Sequence, residues 1–146
     1  MRMEDPKPQF LHLVKGLKGL NLAYLHLIGP RTDGVFDNDR EREDGNDCFI
    51  QEWGDTSPII LAGGSKPTSG ATTVNEMYPD RNVVVAYGRY FTSNPDLVYR
   101  IRKGLKFRHY EPAFFYAHKE PKGYVTYPYS QQYNDEFTNQ NIRARL

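Results

Sequence analysis

Apolar residues recur at helical spacing near the start of the chain. Phe10, Leu13, Val14, Leu17 and Leu20 follow Pro6 and Pro8 at steps of three and four, which predicts an amphipathic helix over about Gln9–Leu20 beginning near Pro8. Leu22-Ala23-Tyr24-Leu25-His26-Leu27-Ile28 is a continuous short apolar run stopped by Gly29-Pro30, the pattern of a strand covered on both faces. Two more runs of this kind follow. Pro58-Ile59-Ile60-Leu61-Ala62 closes at Gly63-Gly64, and Asn82-Val83-Val84-Val85-Ala86-Tyr87 closes at Gly88-Arg89. A polar helix from about Ser69 to Met77 lies between them, and a helix over 96–102 ends at Gly104, where a left-handed stop is expected. Apolar strands alternating with helices imply parallel pairing through right-handed crossovers, an α/β architecture.

The pattern is lost from Thr32 to Ser57. That stretch carries nine acidic residues against Arg40 and Arg42, reads as one long acidic loop, and is expected to be disordered in its middle. Past Gly104 an aromatic tail runs through about residue 130 without clear periodicity, and 131–146 reads as a polar extension.

Charge and composition narrow the class. With 146 residues the chain is one domain by length, and with 38% hydrophobic and 25% charged residues it is polar for a self-sufficient globule. The net charge of +1 gives no bulk field for a nucleic acid or a membrane surface. Cys48 has no partner for an internal disulfide, the first residues lack the apolar run of a signal peptide, and no apolar stretch reaches the roughly 20 residues of a bilayer span. A reducing, cytoplasmic setting is the expectation. No two of the four histidines have metal-ligand spacing with a third partner, so no metal site is expected.

The chemistry is concentrated at two glycine turns, each at the carboxyl end of an apolar strand. Glycine lets a ligand approach the backbone, exposed amides there suit a phosphate, and the guanidinium of Arg89 adds a bidentate charged clamp. In (β/α)8 barrels a phosphate site is frequently built from the loops after the seventh and eighth strands. Spacing alone leaves these turns open to a second reading as ordinary strand endings.

The run Tyr87-Gly88-Arg89-Tyr90-Phe91-Thr92-Ser93-Asn94-Pro95-Asp96-Leu97 resembles the segment after the last barrel strand in the old yellow enzyme family of FMN-dependent NADPH dehydrogenases and ene reductases. Leu25 to Arg31 is similar to that family's strand-six segment, Ile59 to Gly64 to strand seven, and Tyr110, Phe115-Tyr116, Gly123-Tyr124 and Tyr127-Pro128 to its C-terminal tail. The resemblance covers about residues 1–130. It implies the C-terminal portion, about strands 6 to 8, of a (β/α)8 TIM barrel, an incomplete barrel. It further implies FMN as cofactor with NADPH or NADH as reductant, and reduction of the activated C=C bond of a small unsaturated carbonyl compound. Gly63, Gly64, Gly88 and Arg89 would contact the FMN phosphate, and Phe36 and Tyr116 would line the substrate pocket.

The departures carry equal information. Gly29 stands where the family usually has a glutamate, Glu111-Pro112-Ala113-Phe114 replaces Asp-Arg-x-Thr, and Thr126 replaces an aspartate. The family's carbonyl-gripping His/Asn or His/His pair and proton-donating tyrosine have no counterpart here, so no catalytic residue is expected in this chain. Activity would then need a missing N-terminal half, the alternative being an inactive remnant that binds flavin weakly or not at all. Three strands leave open sheet edges, from which self-association is expected. A third reading, nucleic-acid binding, rests on seven basic residues interleaved with Phe107, Tyr110, Phe114, Phe115 and Tyr116 between Arg100 and Lys122, and is the least favoured.

Overall fold

The structure is a computed structural model, and it describes residues 4–29, 32–33, 36–37 and 45–143. It divides into two compact units, Met1–Ala86 and Tyr87–Leu146.

In the first unit, α1 (Lys7–Lys18) precedes β1 (Leu25–Ile28), and the two-residue strands β2 (Thr32–Asp33) and β3 (Phe36–Asp37) pair antiparallel. Next come α2 (Asp47–Trp53), β4 (Ile59–Ala62), α3 (Pro67–Thr72) continued by a π-helical turn Thr73–Met77, and β5 (Val83–Ala86). The sheet order is β1-β4-β5, all parallel, as alternating strands and helices predict. The register aligns Leu25 with Ile59 and Val83 at one end, and Ile28 with Ala62 and Ala86 at the other.

Side chains alternate across a pleated sheet, so Leu25, Ile59, Leu61 and Val83 share one face. Val14, Phe49, Ile50 and Trp53 from α1 and α2 close over it to form the core. The opposite face is not covered as the apolar runs led us to expect: Ile28 is 67% exposed and Val84 47%. Among the described residues of this unit, α1 and α2 cover the face that carries Leu25, Ile59, Leu61 and Val83. Likewise α1 buries Val14 and packs Leu11 and Leu17, whereas Phe10, Leu13 and Leu20 stay exposed, so the buried stripe is rotated from the one read in the sequence.

The stretch read as an acidic loop through Ser57 contains α2. Phe49, Ile50 and Trp53 lie on one side of its two turns, and the Trp53 indole donates to the Ser57 carbonyl at 3.0 Å. Lys18 Nζ donates to the Glu52 carbonyl at 2.6 Å and fastens α1 to α2. Seven residues are too short to register as a period, and tertiary packing rather than propensity fixes the helix. The acidic middle expected to be disordered lies outside the described residues.

The second unit holds α4 (Arg89–Ser93), α5 (Leu97–Lys103), a 3-10 turn (Pro112–Phe114) and α6 (Gln131–Arg143). Gly104 ends α5 in the left-handed conformation at φ +64°, with the Leu105 amide donating to the Arg100 carbonyl at 2.8 Å, as its glycine signals. The helix α6, in a region read as a polar extension, docks through a stacked seam. Tyr133 meets Tyr99 edge-on at 5.3 Å, the Tyr99 hydroxyl donates to Glu136 at 2.8 Å, and Lys103 pairs with Glu136 at 3.0 Å. The Tyr99 and Lys103 contacts hold the Glu136 carboxyl below its usual range.

Candidate functional site

The first glycine turn is built by close backbone approach. Gly63 has φ +106° and Gly64 +65°, both left-handed values that glycine alone adopts without strain. A Cβ at Gly63 would meet the Gly29 nitrogen and oxygen at 3.2 Å, and the Gly29 amide donates to the Ala62 carbonyl at 2.7 Å. Gly29, where a glutamate is usual in the resembled family, is therefore part of the turn's packing. Beside it lies a cavity of about 260 Å³ lined in part by Gly29, Gly63, Ser65, Ser69 and Thr73. The Ser69 hydroxyl accepts from the Lys66 amide at 2.8 Å, and the Thr73 hydroxyl donates to the Ser69 carbonyl at 2.8 Å, so both hydroxyls brace the α3 segment.

Gly88 and Arg89 belong to the second unit. Gly88 has an ordinary negative φ of −94°. A Cβ there would meet nothing within 4 Å. Gly88 thus satisfies no internal packing demand, in contrast to Gly63, and leaves open space over its backbone. Arg89 is half-buried, and its Cζ lies 5.8 Å from the centroid of the Tyr110 ring. Tyr87, whose ring meets Phe107 edge-on at 5.8 Å, has its phenol pushed up by burial and stays uncharged.

The rest of the Gly-Arg-Tyr-Phe-x-x-Asn-Pro-Asp-Leu run is structural. Asn94 Nδ2 donates to the Tyr90 carbonyl at 2.8 Å and the Arg108 carbonyl at 2.9 Å, while its Oδ1 accepts from the Arg108 amide at 2.7 Å. Ser93 Oγ donates to the same Arg108 carbonyl at 2.9 Å. Asp96 is buried and accepts from Arg100 Nε at 2.8 Å on one oxygen, and from the Ser130 amide at 2.9 Å and hydroxyl at 2.5 Å on the other. Burial raises the Asp96 carboxyl, but the Arg100 and Ser130 hydrogen bonds outweigh it and hold the group below its usual range. Within this run the family resemblance implies ligand contacts at Gly88 and Arg89. Ser93, Asn94 and Asp96 stitch the tail to α4 and α5, and Gly88 and Arg89 precede them in the run. A buried Asn or Asp beside a short helix is the signal that separates these roles.

Tyr116 is 85% exposed with a left-handed φ of +64°, and its amide donates to the Tyr124 hydroxyl at 3.1 Å. That bond holds the tail locally without the aspartate and arginine that the sequence lacks. Phe36 lies in β3, and its side chain is outside the described set. In the basic aromatic tail Phe107 and Tyr110 are buried, and Arg100 pairs with Asp96. Among the described residues no group of three His, Cys, Asp or Glu could hold a metal ion, and no helix is long and apolar enough to cross a membrane.

Comparison with known families decides the kinship. The family model described as the NADH:flavin oxidoreductase / NADH oxidase family matches residues 11–108. The chain belongs to this family. Its flavin oxidoreductase relatives include an NADP-dependent oxidoreductase of Aspergillus flavus, 43% identical over 90% of this chain and 37% of the relative. A chanoclavine-I aldehyde reductase of Penicillium roqueforti is 43% identical over 91% and 36%. A protein of Epichloe festucae var. lolii named "probable inactive reductase" is 39% identical over 97% and 38%. The chain therefore spans little more than a third of the length of these relatives. Among solved structures, old yellow enzyme from a Pichia species superposes with TM-score 0.67 at 26% identity, covering 86% of this chain and 30% of that one. Morphinone reductase in complex with tetrahydroNAD gives 0.68 at 27%, covering 92% and 33%. The parallel sheet is thus a portion of the α/β barrel of this flavin oxidoreductase family, whose cofactor pair is FMN with NADH or NADPH.

Proposed function

We propose that this chain carries the FMN-phosphate-binding part, about strands 6 to 8, of a (β/α)8 ene reductase of the old yellow enzyme type. In this reading residues 1–130 are the barrel portion, and 131–146 extend it. The observation that carries the reading is the parallel register of β4 and β5: Ala62 lies beside Ala86, so the chain leaves both strands at the same edge of the sheet, the carboxyl edge where open α/β folds bind ligands. Gly63 and Gly64 follow the first strand directly, and Gly88 and Arg89 begin two residues after the second.

The residues fit a phosphate monoester. Left-handed glycines expose backbone without a Cβ, the open space at Gly88 admits a ligand oxygen, and Arg89 supplies charge and two parallel N–H donors. Bound FMN would supply hydride to the β-carbon of an activated alkene. The chain's own part is to hold the cofactor's phosphate end. Phe36 and Tyr116 are proposed to border the substrate, with the exposed Tyr116 ring offering a flat apolar surface to an unsaturated carbonyl compound. Donors that polarise the carbonyl, and the acid that protonates the α-carbon, would come from outside these residues.

A second reading, an inactive remnant that binds flavin weakly or not at all, is favoured by the relatives at 39% and 41% identity whose names read "probable inactive". A visible spectrum of the purified chain with and without FMN, followed by NADPH and cyclohexenone, tests both. Bound yellow flavin with no enone reduction by the chain alone, and reduction once the remaining strands of a family member are supplied, supports the first reading. Weakly bound flavin with no turnover after that addition supports the second, and no bound flavin in either mixture overturns the first and leaves the second standing.

A further inference from the structure

We infer that Tyr124 is a positioning residue: its hydroxyl fixes the backbone that aims the Tyr116 ring at the substrate. The assignment rests on the reading of Tyr116 as a residue that borders the substrate. Tyr116 takes φ +64°, a left-handed value that is uncommon for a bulky side chain and persists where the surrounding structure requires it. Its ring is 85% exposed, so its direction is set by the backbone that carries it rather than by packing. The Tyr116 amide donates to the Tyr124 hydroxyl at 3.1 Å, which closes the loop 116–124 on its own first amide. A left-handed residue at the start of that loop is the turn that lets the chain return. Without the bond, φ is free to relax to the ordinary negative region, and the Cβ swings the ring to another side of the chain.

Both ends of the bond are anchored. Phe115, which precedes Tyr116, packs its ring on Tyr110 at 5.4 Å, and its amide donates to the Pro112 carbonyl at 3.0 Å. On the acceptor side, the Gly123 amide donates to Thr126 Oγ1 at 3.1 Å, and the Tyr124 amide donates to the Pro121 carbonyl at 3.1 Å. A second phenol supplies the contrast: the Tyr127 hydroxyl accepts from the Glu111 amide at 3.2 Å, at the start of the same 3-10 turn. The two phenols tie one segment with similar bonds, and the bond of Tyr124 is the one made to the Tyr116 backbone. A ring aimed before substrate arrives spares the ordering that binding would otherwise impose.

The test compares Tyr124→Phe, Tyr127→Phe and Tyr116→Ala with the unaltered chain. The first readout needs neither flavin nor substrate: a left-handed residue gives a strong NMR cross-peak between its own amide and α protons, which a negative φ weakens. The second is KM against kcat for cyclohexenone, with the chain completed by the remaining strands of a family member. Tyr124→Phe should lose the strong Tyr116 cross-peak and raise KM roughly 3- to 10-fold, the effect of one hydrogen bond, with FMN affinity unchanged. Tyr127→Phe should keep both the cross-peak and KM although it removes a similar bond from the same segment, which separates aiming the ring from loosening the tail. A strong cross-peak retained in Tyr124→Phe, a KM unchanged when the cross-peak is lost, or a KM raised equally by both phenylalanine variants overturns the assignment. An unchanged KM in Tyr116→Ala overturns the border reading of Tyr116 and the assignment with it. No flavin bound by the unaltered chain, alone or completed, overturns the ene reductase reading itself and with it this assignment.

Discussion

At Gly123 the backbone turns left-handed with φ +80°, and a methyl group there would come within 2.5 Å of the Phe114 Cβ. The Gly123 amide donates to Thr126 Oγ1 at 3.1 Å, and Lys122 Nζ sits 4.6 Å over the other side of the bend on the Phe114 ring. Gly123→Ala must therefore both strain the backbone and displace a ring, and should destabilise the tail bend by about 1–3 kcal/mol. Faster hydrogen exchange at the neighbouring Tyr116 amide, whose acceptor Tyr124 follows Gly123, would register the change, and unchanged exchange would contradict it. Residues such as Gly63 were legible because a double glycine closing an apolar run announces a turn. Gly123 appeared only as part of a family pattern, because its demand comes from Phe114 nine residues away and no local spacing encodes that. Gly88 runs the other way: it looks like an obligate turn glycine, yet its φ and surroundings would accept a side chain.

Among the elements, the three core strands, α1 and α5 announce themselves through continuous apolar runs, helical spacing and a glycine stop. The helices α2 and α6 do not. The first has two turns of apolar contact inside an acidic sequence, and the second contributes Tyr133 and Phe137 among polar neighbours, rings that stack at 4.3 Å. Their stability comes from partners distant in sequence, which a periodicity reading cannot see. The buried Asp96 link between α5 and Ser130 makes one such dependence measurable. Its carboxyl is held below the ordinary range in the fold, so its contribution is complete above the unfolded carboxylate value of about 4 and disappears as pH falls through the lower folded value. Protection of the α5 amides, taken relative to their intrinsic exchange rates, should be constant from about pH 6 to 8 and should fall below about pH 4. Asp96→Asn should remove that acid dependence while weakening the unit at neutral pH by about 3 kcal/mol, because Arg100 is left buried without its counter-charge. Unaltered acid sensitivity in the variant would assign it to another group.

For the whole molecule, the decisive feature is a parallel sheet dressed on one side. The apolar runs signalled strands covered on both faces, and what they could not signal is that the described residues supply helices to only one of those faces. Ile28 and Val84 remain on the other, and the sheet order among the described strands leaves β1 and β5 as edges. Such a surface favours association with further strands. Size-exclusion chromatography with light scattering should give a mass that rises with concentration, and Ile28→Lys with Val84→Lys should shift it toward the monomer. A monomeric unaltered chain that melts cooperatively would contradict this. The sheet and its glycine edge were readable from the runs and their stops, whereas nothing in a continuous apolar run says which of its two faces the helices take.

The two donors that Ser130 gives to Asp96 govern how much of the tail must be present as well as how it packs. A chain that stopped anywhere between Arg100 and Ser130 would strand a carboxylate in the interior with two of its three hydrogen bonds gone, so the arginine turn and the far end of the tail are usable only as one block.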